Sequence, residues 1–216
     1  MNTSFLYRNS LSIVFLLFFI GSLCGQAYTG WLEHNDFLKD YQVAPVRFGT
    51  YLVSGHFLQA TFENWESEFF QMALFVILTV YLKQIGSSES NPFGEENDSE
   101  LKAKKNSPWA VRKGGIWLWI YCYSLSLALL FLFLLSFFLH WYGSWIDFNE
   151  KQLLEGKQPE EMLAYIGNKK FWFESFQNWQ SEFISIFSIV FLSIFLRQKG
   201  SSQSKKVNDP HWKTGD

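Results

Sequence analysis

Cysteine is nearly absent from this chain: there are two in 216 residues, Cys24 and Cys122, with no CxxC and no Cys/His cluster. A disulfide framework and a cysteine-bound zinc are therefore not indicated, and both thiols read as small apolar side chains in or beside apolar runs. Histidine is scarce as well. His34, His56, His140 and His211 lie in different segments without metal-ligand spacing. HExxH, GxSxG, a P-loop and GxGxxG are all missing, so neither a cofactor nor an enzymatic role is expected. Nor does one sign of charge dominate, since the formal net charge is -2. The basic residues form no patch interleaved with aromatics on a soluble surface, which leaves nucleic-acid binding without support.

What the chain has in excess is aromatic side chains, 20% of its residues, with 24 Phe and 10 Trp. Ordinary soluble domains do not look like this, whereas lipid-facing helices do. The mean hydropathy of -0.01 averages long apolar runs with strongly polar segments and so conceals a segregated pattern.

Leu11 to Leu23, extended by Ala27, Tyr28, Trp31 and Leu32, is long enough to cross a hydrocarbon core of roughly 30 Å. A cleaved signal peptide is the rival reading, but the equivalent run Leu125 to Phe138 stands mid-chain, where no signal sequence belongs. Trp31 to Thr61 is mixed. Pro45 suits the first turn of a short helix that Gly55 would end, either along the membrane surface or in a compact cap. Phe69 to Leu82 makes only about 21 Å of helix, so that helix must begin earlier, near Glu63. Ser87 to Gly115 reads as a flexible linker, first acidic and then basic. A third span is expected from Ile116 to about Trp145. After a second mixed segment with Pro159 and Gly167 comes a fourth, whose apolar part is Phe183 to Leu196.

The strongest signal is internal. Phe62-Glu63-Asn64-Trp65-Glu66-Ser67-Glu68-Phe69 returns as Phe176-Gln177-Asn178-Trp179-Gln180-Ser181-Glu182-Phe183, an offset of 114 positions. The same offset, without a gap, aligns Trp31 with Trp145, Pro45 with Pro159, Tyr51 with Tyr165 and Gly86 with Gly200. Roughly a third of aligned positions are identical, beyond what apolar composition produces. The expected architecture is an all-α integral membrane protein with four transmembrane helices, arranged as two tandem parallel two-helix repeats with amphipathic outer segments. Its parts are repeat 1 over 1–90, a cytoplasmic charged linker over 91–115, repeat 2 over 116–204 and a flexible tail over 205–216. Twelve Lys and Arg fall on the N-terminus, linker and tail against six on the two outer segments, which places both termini in the cytoplasm.

Asn64, Ser67 and Glu68 share one arc of a helix, and the second copy repeats it as Asn178, Ser181 and Glu182. Glu63 and Glu66 become Gln177 and Gln180, so one carboxylate per copy is kept. If the pseudo-two-fold axis passes near these faces, Glu68 and Glu182 meet and hold a proton or cation, with Gln26 and His140 at a similar level and His56 just above. The competing reading is structural: capping carboxylates, interhelical Asn and Ser, and interfacial anchors Trp65, Trp179, Tyr28, Tyr142, Trp31 and Trp145.

The ENWESEF and QNWQSEF copies, the KQIGSSES and RQKGSSQS turns and the terminal Asp-Pro-His-x-x-Thr-Gly resemble a bacterial membrane-protein family catalogued only as a domain of unknown function. The resemblance covers nearly the whole chain. It implies a small multi-pass protein of the bacterial cytoplasmic membrane and no reaction. Its partners are then the lipid bilayer and further copies or other membrane proteins. A structural or interaction role leads, a small proton or cation transporter using Glu68 and Glu182 is the alternative, and a membrane enzyme with an unfamiliar site comes third.

Overall fold

The computed structural model describes residues 5–93, 103–104 and 106–215. Most of the acidic half of the expected linker, including Glu95, Glu96, Asp98 and Glu100, lies outside the described residues. Those described form helices and connecting segments without strands. The helices are α1 (Phe5–Arg8), α2 (Ser10–Asp40), α3 (Phe48–Tyr51), α4 (Gly55–Tyr81), α5 (Trp109–Lys113), α6 (Gly115–Cys122), α7 (Ser124–Leu154), α8 (Met162–Tyr165) and α9 (Lys169–Phe195).

Three of these, α2, α7 and α9, are long and apolar enough to cross a membrane, not the four expected. Helix α4 falls short because it ends at Tyr81, while Glu66, Glu68 and Gln71 interrupt its apolar stretch. It also begins at Gly55 rather than near Glu63, so Gly55 opens this helix instead of closing the short one before it. The expected third span is broken at Tyr123, between α6 and α7. Helices α2 and α7 each have 31 residues, about 46 Å at 1.5 Å per residue, so each continues well beyond a hydrocarbon core of about 30 Å.

The chain divides into two compact units. The first comprises the residues up to Phe62 together with Leu139–Asn168, the second Glu63–Phe138 together with the residues from Lys169 onward. In the first unit both long helices stop in the same way. Gln42 N–H donates to Lys39 O at 2.9 Å and Val43 N–H to Leu38 O at 2.9 Å, with Gln42 at a φ of 60°. Gly156 N–H donates to Leu153 O at 3.1 Å and Lys157 N–H to Gln152 O at 2.8 Å, with Gly156 at 71°. This paired closure through a left-handed residue satisfies carbonyls that a helix end would otherwise leave bare.

The segments that follow are held by side chains of the helices they leave. Asn35 Oδ1 accepts the Val46 N–H at 2.8 Å, while Asn35 Nδ2 and Trp31 Nε1 donate to Val46 O at 3.2 and 2.8 Å. Asn149 and Trp145 do the same to Glu160, at 2.8, 2.9 and 2.7 Å. Pro45 and Pro159 stand in these extended stretches ahead of α3 and α8, not in their first turns. Helices α4 and α7 approach so closely here that a Cβ on Gly55 would strike the Asp147 amide and Ile146, and one on Gly143 would strike Leu58 and the Gln59 amide. Glycine at such crossings lets backbones touch.

In the second unit Phe70 of α4 lies 4.9 Å from Phe133, 4.7 Å from Trp179 and 5.8 Å from Phe183 by ring centroids. The residues from 205 to 215, expected to be a flexible tail, are instead hydrogen-bonded into the unit. Lys205 is 2% exposed, and its ammonium donates to the carbonyls of Gly86, His211 and Lys213. Three donors meeting three acceptors is what makes a buried ammonium tolerable. Gly86 N–H donates to Thr214 Oγ1 and Gly215 N–H to Ser87 O, which ties the last residues to the turn after α4.

Candidate functional site

The duplicated motif lies mostly in the second unit, and its inward face is only in part the expected one. Glu66 and Ser67 are buried at 0% and 1% exposure, whereas Asn64 and Glu68 are exposed. Glu66 Oε1 accepts the Trp179 indole N–H at 3.0 Å, and Glu63 accepts from Asn178 Nδ2. Gln71 Nε2 donates to Glu182 O at 3.0 Å. Ser67 and Ser181 each bond the carbonyl three residues back, at 2.8 and 2.7 Å. The carboxylates that bridge α4 and α9 are thus the two that the second copy replaces by glutamine. Helical geometry admits either face, and retention of Glu68 in both copies marks what two segments share rather than where they meet. Glu182 is half-buried and feels the charge of Glu68.

Gln26 and His140 belong to the first unit. Gln26 Nε2 donates to Thr61 Oγ1 at 3.3 Å, and His140 is buried on α7. Of the expected interfacial anchors, Tyr28 and Tyr142 are exposed at 57% and 37%. Trp31, Trp145 and Trp179 spend their indole N–H groups on the protein itself, as described above, and so act as internal ties.

The densest group of chemistry-bearing side chains is one that the sequence patterns do not single out. It sits in the first unit, where α2, α3, α4 and α7 meet beyond the long apolar runs. His34 and His56 stack with ring centroids 5.2 Å apart and an interplanar angle of 27°. His56 Nδ1 lies 3.1 Å from the Tyr51 hydroxyl, and His56 Nε2 lies 3.3 Å from Glu33 Oε2. His34, 3% exposed, has its Nε2 3.9 Å from Glu150 Oε1, beyond hydrogen-bond reach. Asp147 is buried and receives Lys151 Nζ at 2.8 Å. A cavity of about 30 Å³ is lined by Glu33, His34, Phe37, His56 and Lys151.

Environment sets the protonation of this group. Burial, then the negative charges of Glu33 and Asp147, push the Tyr51 hydroxyl up to about 12, so it remains a donor. Burial pushes His56 below its ordinary value, against the pull of Asp147 and Glu33, with Lys151 and His34 adding to the depression. A carboxylate only accepts, so the neutral ring carries its proton on Nε2 towards Glu33 and accepts from Tyr51 at Nδ1. The signal in the sequence lies at positions where the copies differ: under the offset, His34 faces Phe148 and His56 faces Lys170. A comparison built on shared residues passes over both.

With this geometry in hand, known proteins add one finding. The model of the family described as Domain of unknown function (DUF6766) matches residues 2–216. The chain belongs to that family. Neither a curated protein nor a solved structure matches it. The family's description agrees with the expectation of a family catalogued only as a domain of unknown function, and it names no reaction.

Proposed function

We infer that this member of the family is a multi-pass protein of a bacterial cytoplasmic membrane with a structural or interaction role and no catalytic one. It is built as two tandem copies of a helix, connector, helix unit, with both termini cytoplasmic. Three apolar helices support the membrane setting, and the matched hydrogen bonds of Asn35 and Asn149 support the duplication. One observation carries the holding role: Glu63, Glu66 and Gln71 are bonded to Asn178, Trp179 and the Glu182 carbonyl, so the motif's polar groups are used to join helices. Polar side chains in such positions stabilise helix pairs where the alternative is an unsatisfied group in hydrocarbon. The lipid bilayer and further copies of the chain, or other membrane proteins, are its partners, met through exposed faces rich in Phe and Leu.

The second reading, proton or cation transport, draws on the interaction of Glu68 with Glu182. Purified protein in liposomes separates the two. A holding role gives no proton or cation flux, and a Glu63→Ala, Glu66→Ala double variant that unfolds at lower temperature in detergent. Flux by the wild-type protein that a Glu68→Gln, Glu182→Gln double variant abolishes would replace this role with transport.

A further inference from the structure

His56 has one state in which all of its neighbours are satisfied. With the ring neutral, the Tyr51 hydroxyl donates to Nδ1, and Nε2 lies 3.3 Å from Glu33 Oε2. A second proton turns Nδ1 from acceptor to donor, and the Tyr51 hydroxyl must then turn its own proton elsewhere. There is little room for that. Tyr51 is 1% exposed, and a Cβ at Gly30 would collide with its hydroxyl, so the oxygen rests directly against α2. An unmade hydrogen bond in such a place costs the desolvation of the group with no return.

The charged and titratable groups around the ring come from every element packed on it. Glu33 and His34 lie on α2, Tyr51 on α3, and Asp147 and Lys151 on α7, with Glu150 against His34. Glu33 and Asp147 favour a charged ring, while Lys151, the stacked His34 and burial oppose it, and burial is the largest influence. The cavity beside His56, about 30 Å³, has room for one water.

We propose that His56 is a proton-binding latch: uptake of a proton reverses the Tyr51–His56 hydrogen bond, leaves the buried Tyr51 O–H without an acceptor and loosens the connecting segment 41–54 from α2 and α4. The device belongs to one copy only, because Lys170 stands at the equivalent position and Tyr165 bonds Ser144 Oγ at 2.8 Å instead. It goes beyond the holding role and stands independently of it.

Hydrogen exchange of the full-length protein in detergent, corrected for the intrinsic pH dependence of exchange and followed from about pH 8 to about pH 5, tests this. The expected result is that protection of amides in 43–54 falls about tenfold on acidification, in keeping with the loss of one buried hydrogen bond. Residues 157–168 should keep theirs. His56→Gln should hold protection constant, because its amide oxygen accepts from Tyr51 without gaining charge. Tyr51→Phe, which lacks the bond at every pH, should show lowered protection and no acid step. The proposal is overturned if the wild-type protein shows no step, if His56→Gln shows the same one, or if a folded Tyr51→Phe protein retains it.

Discussion

Two tyrosines, 114 positions apart, close the two connecting segments of the first unit in chemically different ways. Tyr51 reaches over Gly30 to a histidine, whereas Tyr165 meets the hydroxyl of Ser144, the residue equivalent to Gly30. Both rings are buried, at 1% and 0% exposure. The backbone frame around them is shared, since Asn35 and Asn149 grip Val46 and Glu160 through the same atoms. The two connectors thus share this frame and differ in the partner held inside it. A hydroxyl pair is indifferent to mild acid, and an imidazole is not.

The largest expected asymmetry lies where helices touch. Gly143→Leu or Gly55→Leu forces backbone against side chain and should cost at least about 3 kcal/mol, read as a lost or strongly lowered thermal transition in detergent. At Thr29, the exposed equivalent of Gly143, the change to Leu should cost no more than about 0.5 kcal/mol. Comparable losses at both would mean the close crossing is not peculiar to Gly143.

The asparagine pair tests the opposite claim, sameness. Asn35→Ala and Asn149→Ala each remove two hydrogen bonds to a connector backbone, and each should destabilise by about 2 kcal/mol. Denaturation curves that leave one variant near the wild type and the other far below it would break the equivalence of the frames.

Acid should separate the copies again. Because the folded value of His56 lies below its ordinary 6.5, the unfolded chain binds the proton more readily. The contribution of the neutral ring is therefore complete above pH 6.5 and is lost as pH falls from there towards the depressed folded value. At the alkaline end the sign reverses. Tyr51, raised from 10.0 to about 12, contributes stability that is present below 10.0 and lost as pH rises towards 12. Unfolding curves across both ranges, with His56→Gln and Tyr51→Phe alongside, should flatten at the acid and alkaline ends respectively.

The smallest effect concerns helix ends. Gln42 occupies a left-handed position that its counterpart fills with Gly156. Gln42→Gly should therefore stabilise the protein by about 1 kcal/mol, and Gly156→Gln should cost a similar amount. A destabilising Gln42→Gly would show that the Gln42 side chain makes a contact worth more than its strain.

Much of this is legible in the residues taken in order. The apolar runs at Leu11 to Leu23 and Leu125 to Phe138 lie within α2 and α7. The short run Phe69 to Leu82 does continue backwards as helix, and further than its length alone requires, because α4 starts at Gly55. Direction around the helix axis is what local pattern does not supply. Glu66 and Glu68 are two residues apart, on nearly opposite faces, and periodicity with retention favours the one that points outward. The tail is hidden for a related reason. Lys205, Asp209 and Lys213 look like a solvated basic end, and burial of Lys205 depends on the distant Gly86 carbonyl together with those of His211 and Lys213.

By itself the sequence determined the helical, apolar character of the chain, its family, and the pairs of positions that share a local frame, because hydrophobic runs, turn residues and a constant offset are all local properties. The tertiary structure decided which carboxylates face inward and which tryptophans tie the helices. It also decided that His34, Tyr51 and His56 gather with Glu33, Asp147 and Lys151. Those choices depend on contacts between segments far apart in the chain, where burial and hydrogen bonding act and where residues that differ between the copies matter as much as those they share.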